Sequence, residues 1–292
     1  MAQLRIGTCS WKYDSWRGLV YSQDQKINYL KEYSQIYDTV EIDQWFRSLR
    51  DLNKIILPRK DVVVNYKESV APSFKFTVKL LDSVTLTHIH RAEKENQYIP
   101  NHHFLSHDLL EEFIASIKPL HKNLGPLMFQ FEYLNKEKIK SQFEFQGLMR
   151  EFAAKLRSEF QFAIEIRNPD YLNETYFQFL RDNKFGHVFL HGYNMPPVFD
   201  VYKKLKDYIK GYTVIRLHGP DRQGIETRAK GEWNKIIDPK DAELEKIVYM
   251  VRELLERKID IYLNVNNYYE GSAPLTVQKI KKLLSEVDHE LK

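Results

Sequence analysis

The sequence lacks several features that would assign it to a particular class of protein. Its single cysteine, Cys9, cannot form an internal disulfide or supply most of a thiolate metal site. No run approaches 18 consecutive apolar residues, so a membrane-spanning helix is not expected. The N-terminal stretch also lacks the apolar segment of a secretory signal. These absences favour a cytoplasmic protein with no membrane association.

Neither charge nor chain-breaking residues dominate the sequence. The 44 basic residues exceed the 40 acidic ones by only four, too small an excess in so charged a chain to indicate a polyanionic partner. No segment rich in proline, glycine or serine divides the chain, and no internal repeat is evident. We therefore expect residues 1–292 to form a single domain.

What the sequence does contain is a regular alternation of short β-type runs with segments of helical periodicity. The helical spacing is clearest over residues 241–257, where apolar residues recur every three or four positions. The predicted strands are residues 4–11, 39–45, 73–80, 125–131, 161–167, 186–193, 212–219 and 260–267. Eight strands, each followed by a helix, predict an α/β fold, a single (β/α)8 TIM barrel.

Alternate side chains of a strand face opposite sides, one toward the helices and the other into the barrel. We assign the more apolar alternation of each strand to the helices; in the sixth strand this is Val188 and Leu190. The inward residues near the strand ends are then Cys9, Trp11, Glu41, Asp43, Thr77, Lys79, Met128, Gln130, Glu165, Arg167, Phe189, His191, Arg216, His218, Asn264 and Asn266. Such a polar set indicates an active-site-like pocket at the C-terminal end of the strands.

The inward set favours an anionic ligand, because its cations outnumber its carboxylates along the strands. Arg167 and Arg216 are suited to clamp a phosphate or carboxylate through paired hydrogen bonds. A purely structural alternative is that Glu165 pairs with Arg216, or Glu41 with Lys79, as internal salt bridges. The glycine-containing loop after the seventh strand carries Arg222 at a usual phosphate position of such barrels.

The leading hypothesis is an enzyme that binds a phosphate-bearing or other anionic substrate, a small molecule or a nucleic-acid fragment, and acts as a phosphoester hydrolase. Arg167, Arg216 and His218 would hold the anion, and Glu165 or Glu41 would activate water. The other predicted substrate contacts are Gln130, His191, Asn266 and the rim aromatic Trp11. No obligate protein partner is expected.

Two further functions remain open from the residues alone. Lys79, directed into a barrel beside other cations, could form a Schiff base in a lyase or isomerase. A protein that binds DNA or RNA without turnover would use the same cations and aromatics.

No cofactor is expected, and a tightly bound divalent metal is the less favoured alternative. Five histidines lie between residues 88 and 107, yet none has the spacing of a metal motif. The candidate ligands of such a metal would be Glu41, Glu165, His191 and His218.

Seven segments, read in order, resemble the YecE-like family, domain of unknown function 72, over nearly the whole chain: IGTCSW, YDTVEID, FKFTVKL, GPLMFQF, IEIRNPDYL, VIRLHG and LNVNNYYEGSAPLT. The resemblance implies a (β/α)8 barrel but no assigned activity. The resemblance marks Glu41, Lys79, Gln130, Glu165, Arg167, Arg216, His218 and Asn266, which the strand pattern also indicates. It adds Asn267, which the strand pattern does not indicate. The sequence departs from the family pattern at Gln44, Trp45 and Phe46 and at Phe131 and Glu132. These departures affect the expected substrate contacts of the rim more than the charged residues beneath it.

Overall fold

Eight parallel strands close into a barrel in a computed structural model that describes residues 2–51, 54–90 and 98–290. The strands are β1 Leu4–Thr8, β2 Thr39–Ile42, β3 Lys75–Lys79, β4 Leu124–Gln130, β5 Phe162–Glu165, β6 Gly186–Gly192, β7 Tyr212–Gly219 and β8 Asp260–Val265. Each pairs with its neighbours in sequence order, and β8 closes the ring against β1. This confirms the predicted TIM barrel.

Helices connect successive strands around the outside of the barrel. They are α1 Tyr29–Ile36, α2 Lys60–Glu68, α3 Asp82–Thr85, α4 His107–Ser116, α5 Gln142–Ala153, α6 Glu174–Asp182, α7 Val198–Leu205, α8 Arg222–Ala229, α9 Asp241–Glu256 and α10 Ala273–Glu290. Asn28, Ser106, Ser141 and Asn173 cap α1, α4, α5 and α6 by accepting a hydrogen bond from a first-turn amide. Within the described residues, no helix is at once long and apolar enough to cross a bilayer.

Short elements elaborate the connections. Leu49–Asp51 pairs antiparallel with Lys54–Ile55 in the connection after β2, and His88–His90 pairs with Tyr98–Pro100 in the connection after β3. The 3₁₀ helices are Asp14–Trp16, Lys118–Asn123, Pro169–Tyr171 and Lys206–Tyr208. Both hairpins therefore belong to the βα connections, which in this fold form the face that carries active sites.

Apolar side chains fill two separate regions. The larger core lies between the strands and the helices and includes Val40, Phe76, Ile164, Leu217 and Leu263. A smaller cluster, the apolar floor, closes the barrel interior and consists of Met128, Ala163, Val188, Val214 and Tyr262. Inside and outside alternate along the strands as predicted, except in β6.

The predicted orientation of β6 is wrong. Val188 lies inside, in the apolar floor, whereas Phe189 faces the helices, with its ring 6.2 Å from that of Phe177 on α6 and 6.3 Å from that of Tyr202 on α7. In this strand both alternations are apolar, as is common for strands buried on both faces of a parallel sheet. The hydrophobic pattern therefore carried no information about which side faced the helices.

Candidate functional site

Arg216 on β7 binds two carboxylates from across the barrel, directly above the apolar floor. Its Nε and Nη2 donate to the two oxygens of Glu41, each at 2.7 Å, and its Nη1 donates to Glu165. The three side chains, here called the polar layer, are only 2%, 0% and 1% exposed for Arg216, Glu41 and Glu165. Gln130 on β4 also accepts from Nη1, at 3.4 Å. The guanidinium thus holds strands β2, β4, β5 and β7 together from inside.

The contacts of the polar layer show which of the internal salt bridges considered from the sequence are formed. The ion pair between Glu165 and Arg216 is present, whereas Glu41 pairs with Arg216 and not with Lys79. A buried arginine and its carboxylates stabilise one another only as a complete set, because each charge alone would be costly to bury. Arg216 is therefore committed to the protein and is not available as the anion clamp that the sequence suggested.

Burial and neighbouring charges set the protonation of this layer. Burial opposes the charge of Glu165, but Arg167, Arg216 and Lys79 outweigh it and lower the pKa of Glu165 to about 2. Burial raises the pKa of Glu41 above its ordinary value, although Arg216 acts against that shift. Burial likewise opposes the charge of Arg216, yet Glu165 and Glu41 hold its pKa well above normal. Glu165 is thus a permanent anion and a weak base.

An open cavity of about 760 Å³ lies above the polar layer, at the C-terminal end of the strands. It is lined by Cys9, Tyr13, Asp43, Gln44, Phe46, Arg47, Lys79, Gln130, Phe131, Glu132, Arg167, Tyr193, Arg216, His218, Arg222, Asn266 and Tyr268. Most of these residues come from the strand ends and the loops after them, which is where such barrels build their sites. Lys79, Gln130, Arg167, Arg216, His218 and Asn266 are the predicted site residues that line it.

Two cations face the cavity, one from the loop after β5 and the other from the first residue of α8. Arg167 binds one oxygen of Glu165 through Nε at 2.8 Å and Nη2 at 2.6 Å, and its guanidinium carbon lies 4.3 Å from the centre of the Tyr193 ring. Arg222 lies at 4.8 Å over the ring of Tyr268. These arginines are held by aromatic faces and still reach the cavity.

Lys79, at the end of β3, enters the cavity from the opposite side of the barrel. Its Nζ lies 3.9 Å from the centre of the Phe46 ring. Burial, and next the charge of Arg216, lowers the pKa of this amine. Among the residues that the structure describes, no carboxylate forms an ion pair with Lys79, which distinguishes it from Arg167 and Arg216.

His218 at the end of β7 is a neutral base beside the cations. Its Nε2 is 3.5 Å from Sγ of Cys9, and its Nδ1 is 3.3 Å from the hydroxyl of Tyr193. Burial, followed by Arg216 and Arg167, holds the pKa of His218 well below its usual value. Burial and then Glu41 raise the pKa of Cys9, so the thiol stays protonated and is no nucleophile.

Two glycines bring Tyr193 and His218 together. Gly192 has φ +124°, and a Cβ there would stand 2.2 Å from the carbonyl oxygen of Gly219. Only glycine allows the ends of β6 and β7 to approach so closely. Tyr193 follows with φ 54°, an uncommon conformation for a bulky residue, and its ring turns over the cavity.

Three predicted contacts do not line the cavity. Trp11 is buried against Tyr66 of α2, with ring centres 5.1 Å apart, because the loop after β1 folds back over the helices. His191 faces outward with the rest of its alternation in β6, and its Nε2 lies 3.0 Å from Glu243 of α9. Asn267 accepts a hydrogen bond at 2.9 Å from the amide of Ala273, at the start of α10. These placements correct the sequence-based site, and Asn267 has a structural role instead.

The four candidate metal ligands are not brought together. Glu41 and Glu165 bind Arg216, His191 binds Glu243, and His218 alone reaches the cavity. Across residues 2–51, 54–90 and 98–290, no group of three or more His, Cys, Asp or Glu side chains is arranged to hold a metal ion.

The aromatic wall of the cavity was largely missed from the sequence. It consists of Tyr13, Phe46, Tyr193 and Tyr268, and Asp43 stands beside it. A signal existed for Tyr193, since it directly follows a glycine at the end of a predicted strand, where loop residues commonly carry function. Asn266 was placed correctly, but its Oδ1 is occupied by the amide of Tyr268 at 3.1 Å.

Comparison with known proteins fits this architecture. Residues 5–292 match the family model described as "protein of unknown function DUF72". No curated protein matches the sequence. A DUF72 family protein from Enterococcus faecalis V583 superposes with a TM-score of 0.68 at 19% identity, covering 97% of this chain and 96% of its own. One from Thermotoga maritima MSB8 gives 0.65 at 20% identity, covering 97% and 99%. The chain belongs to the DUF72 family.

Proposed function

We propose that the protein is an enzyme that binds a small phosphate-bearing or otherwise anionic substrate in the cavity at the C-terminal end of the barrel. The observation that carries this proposal is the placement of charge. Glu41 and Glu165 are buried beneath the cavity and bound to Arg216, whereas Arg167, Arg222 and Lys79 reach into it. The lining also contains Asp43 and Glu132, but the arginines Arg47, Arg167 and Arg222 outnumber these carboxylates, so an entering anion meets an excess of positive charge.

The anion is held by Arg167 and Arg222, and Arg216 positions Arg167 indirectly through Glu165. Glu165 receives Arg216 on one oxygen and Arg167 on the other, so the buried ion pairs fix the direction of the Arg167 guanidinium. Arginine offers a planar fork of donors that matches phosphate and carboxylate oxygens. The proposed clamp is therefore Arg167 with Arg222, in place of the pair of Arg167 and Arg216 expected from the sequence.

The organic part of the substrate lies against the aromatic wall. Tyr193 and Tyr268 carry the two arginines on their faces, and Tyr13 and Phe46 complete the rim. Flat side chains of this kind stack on sugar rings and nucleobases. A cavity of about 760 Å³ suits a substrate of sugar-phosphate or nucleotide size.

His218 is the proposed base for phosphoester hydrolysis. It is neutral and faces the cavity, and its hydroxyl neighbour Tyr193 can pass on the proton. In the proposed step, water oxygen bonds to phosphorus while the ester P–O bond breaks. His218 accepts the proton of the water, and the leaving alcohol takes up a proton in turn. Glu165 is bound to Arg216 and Arg167 and does not line the cavity, so it is not placed to take this proton.

Calorimetric titration with inorganic phosphate, sugar phosphates and nucleoside monophosphates tests the binding. We expect Arg167→Met to weaken the affinity by about tenfold or more, as for a lost hydrogen bond to a charged group. Arg181→Met removes an arginine from α6, outside the cavity lining, and is the matched control that leaves the affinity unchanged. Equal affinities of the wild type and Arg167→Met for every ligand would contradict the proposal.

The reaction itself is tested with phosphomonoesters and phosphodiesters by following released phosphate or alcohol. His218→Gln should abolish turnover while the bound ligand is retained, because the clamp arginines are intact. Undiminished turnover in His218→Gln would remove this histidine as the base. Binding that falls steeply with salt for oligonucleotides, without turnover, would instead favour a nucleic-acid-binding protein.

A further inference from the structure

We propose that Lys79 is a nucleophile that forms an imine with a carbonyl compound bearing a phosphate or carboxylate group. The inference rests on the proposed anion-binding cavity and names its substrate class more closely. An aldehyde or ketone would be held by its anionic end at Arg167 and Arg222, while its carbonyl carbon approaches Lys79 from across the barrel.

The placement of Lys79 is that of a reactive amine. It is the last residue of β3, at the C-terminal end of the barrel, and its Nζ lies on the Phe46 ring at the cavity wall. Other cations of the interior have carboxylate partners: Arg216 has two, and Arg167 shares Glu165. Within the described residues Lys79 has no ion pair, although the charges of Glu41, Glu165 and Asp43 act on it from a greater distance.

The electrostatics favour the uncharged amine. Burial, and then the charge of Arg216, lowers the pKa of Lys79. Each unit by which the pKa of a lysine falls raises its nucleophilic fraction at neutral pH about tenfold. Lysines that form Schiff bases are activated in this way, by a poorly solvated site and a neighbouring cation.

The chemistry balances without an oxidant or another reactant. The nitrogen lone pair of Lys79 forms a C–N bond as the C=O π bond opens. The nitrogen loses one proton while the carbonyl oxygen gains one and becomes a hydroxyl group. That hydroxyl leaves as water after a second protonation, which produces a protonated imine. Asp43 lines the same cavity, and burial raises the pKa of its carboxyl, so it is placed to shuttle these protons.

Borohydride trapping tests this inference directly. The full-length protein is incubated with pyruvate, glyceraldehyde 3-phosphate or dihydroxyacetone phosphate, reduced with sodium borohydride, and mapped by peptide mass spectrometry. Lys75 is an internal control, because it lies on the same strand and alternation but at the opposite end, where it donates to the carbonyl of Lys122 at 2.8 Å. We expect at least one probe to label Lys79 about tenfold more than Lys75, because only Lys79 lines the cavity in which the probe is held.

Variants separate the nucleophile from the charge. Lys79→Arg keeps a cation but cannot form an imine, and should lose the adduct, whereas Lys75→Arg should retain it. Arg167→Met should reduce trapping of the three anionic probes and leave trapping of the neutral probe acetaldehyde unchanged. Absence of an adduct on Lys79, or labelling no greater than that of Lys75, overturns the inference.

The two proposals fail separately. If calorimetry shows that phosphate ligands bind and depend on Arg167, but no probe is trapped on Lys79, the imine falls and the anion-binding function stands. If acetaldehyde labels Lys79 selectively while no anionic ligand binds, the anionic substrate class falls with the proposed function.

Discussion

The barrel interior has two adjacent levels that are buried equally and built in opposite ways. In the apolar floor, Met128, Val188 and Val214 contact one another with no charged group among them. One level higher, Arg216 and its two carboxylates fill the same kind of space with charge. Burial alone therefore does not distinguish the part of the barrel that stabilises it from the part that supports a site.

The difference lies in how each level depends on its members. A floor residue contributes through contact area, so its loss leaves a void whose cost is graded. A member of the polar layer balances the others, so its loss leaves an unpaired buried charge. The polar layer also fixes the orientation of Arg167 through Glu165. It therefore contributes both to the stability of the barrel and to the proposed anion site.

Arg216→Met should cause the largest loss of stability in the barrel. It leaves Glu41 without its partner and removes one of the two arginines from Glu165. Breaking a buried ion pair in this way costs about 3–5 kcal/mol. Urea unfolding at pH 7 measures the change in the free energy of unfolding.

Two controls sharpen this prediction. Arg167→Met should cost less, because Glu165 keeps its bond to Arg216. A triple variant, Glu41→Leu, Glu165→Leu and Arg216→Met, should recover much of the loss, since apolar residues of similar volume often replace buried ion pairs without penalty. If Arg216→Met were no more harmful than Arg167→Met, the three buried charges of the polar layer would not depend on one another as described.

Met128→Ala should destabilise the floor by about 2–5 kcal/mol, as other deletions of buried methionine or leucine side chains do. The affinity for phosphate ligands should not change, because Met128 does not line the cavity. Met128→Leu preserves volume and should cost less than about 1.5 kcal/mol. A changed affinity in Met128→Ala, measured by calorimetry, would show that the floor and the site are coupled.

His187 tests whether the lower half of the barrel wall, on the side that faces the helices, excludes charge. It neighbours the floor residue Val188 and packs between Phe177 and Phe189, each 4.6 Å away between ring centres. Burial lowers its pKa from 6.5 to about 3. Between these values the unfolded chain binds a proton that the folded protein does not, so stability falls as the pH is lowered through this interval.

His187→Phe should remove about 1.4 kcal/mol per pH unit from that dependence between pH 6.5 and 4.5, before Glu165 begins to titrate. The wild type is measured in parallel as the reference. Urea unfolding at a series of pH values measures both. An identical slope in His187→Phe and the wild type would mean that the lower half tolerates the charge.

The sequence predicted the barrel because all eight strands have the expected length and seven have one alternation that is clearly more apolar. It failed on β6, where Val188, Phe189 and Leu190 are all apolar and the alternation gives no direction. His191 was misplaced for the same reason, because it lies two residues after Phe189 and points to the same face of the strand. Trp11 was misplaced because the path of a loop beyond the strand end is set by tertiary packing.

The sequence offered the pair of Glu165 with Arg216 as an alternative, but it could not identify the partner of Glu41. Glu41 and Arg216 are 175 residues apart, and each strand pattern says only that a side chain faces inward. Which inward carboxylate meets which cation depends on heights around the closed barrel, and therefore on strand register. The predicted clamp thus contained the right residue types, but Arg216 turned out to be the partner of the carboxylates and Arg167 the residue that reaches the cavity.

Tyr193→Phe should have the smallest effect, and it separates the aromatic wall from the polar layer beneath it. The hydroxyl is 3.3 Å from Nδ1 of His218, a long hydrogen bond that contributes at most about 1.5 kcal/mol to stability. The ring that supports Arg167 remains, so phosphate affinity should be nearly unchanged. Tyr193→Ala removes the ring and should weaken binding about 2- to 30-fold, the range of a cation–π contact.

Tyr249→Phe, an exposed tyrosine on α9, is the matched control for loss of a hydroxyl and should behave as the wild type. Calorimetry with inorganic phosphate reports all three variants under the same conditions. Should Tyr193→Ala bind phosphate as tightly as Tyr193→Phe, the Arg167 guanidinium would be positioned by Glu165 alone. The polar layer would then be sufficient to build the anion site, and the aromatic wall would serve only the organic part of the substrate.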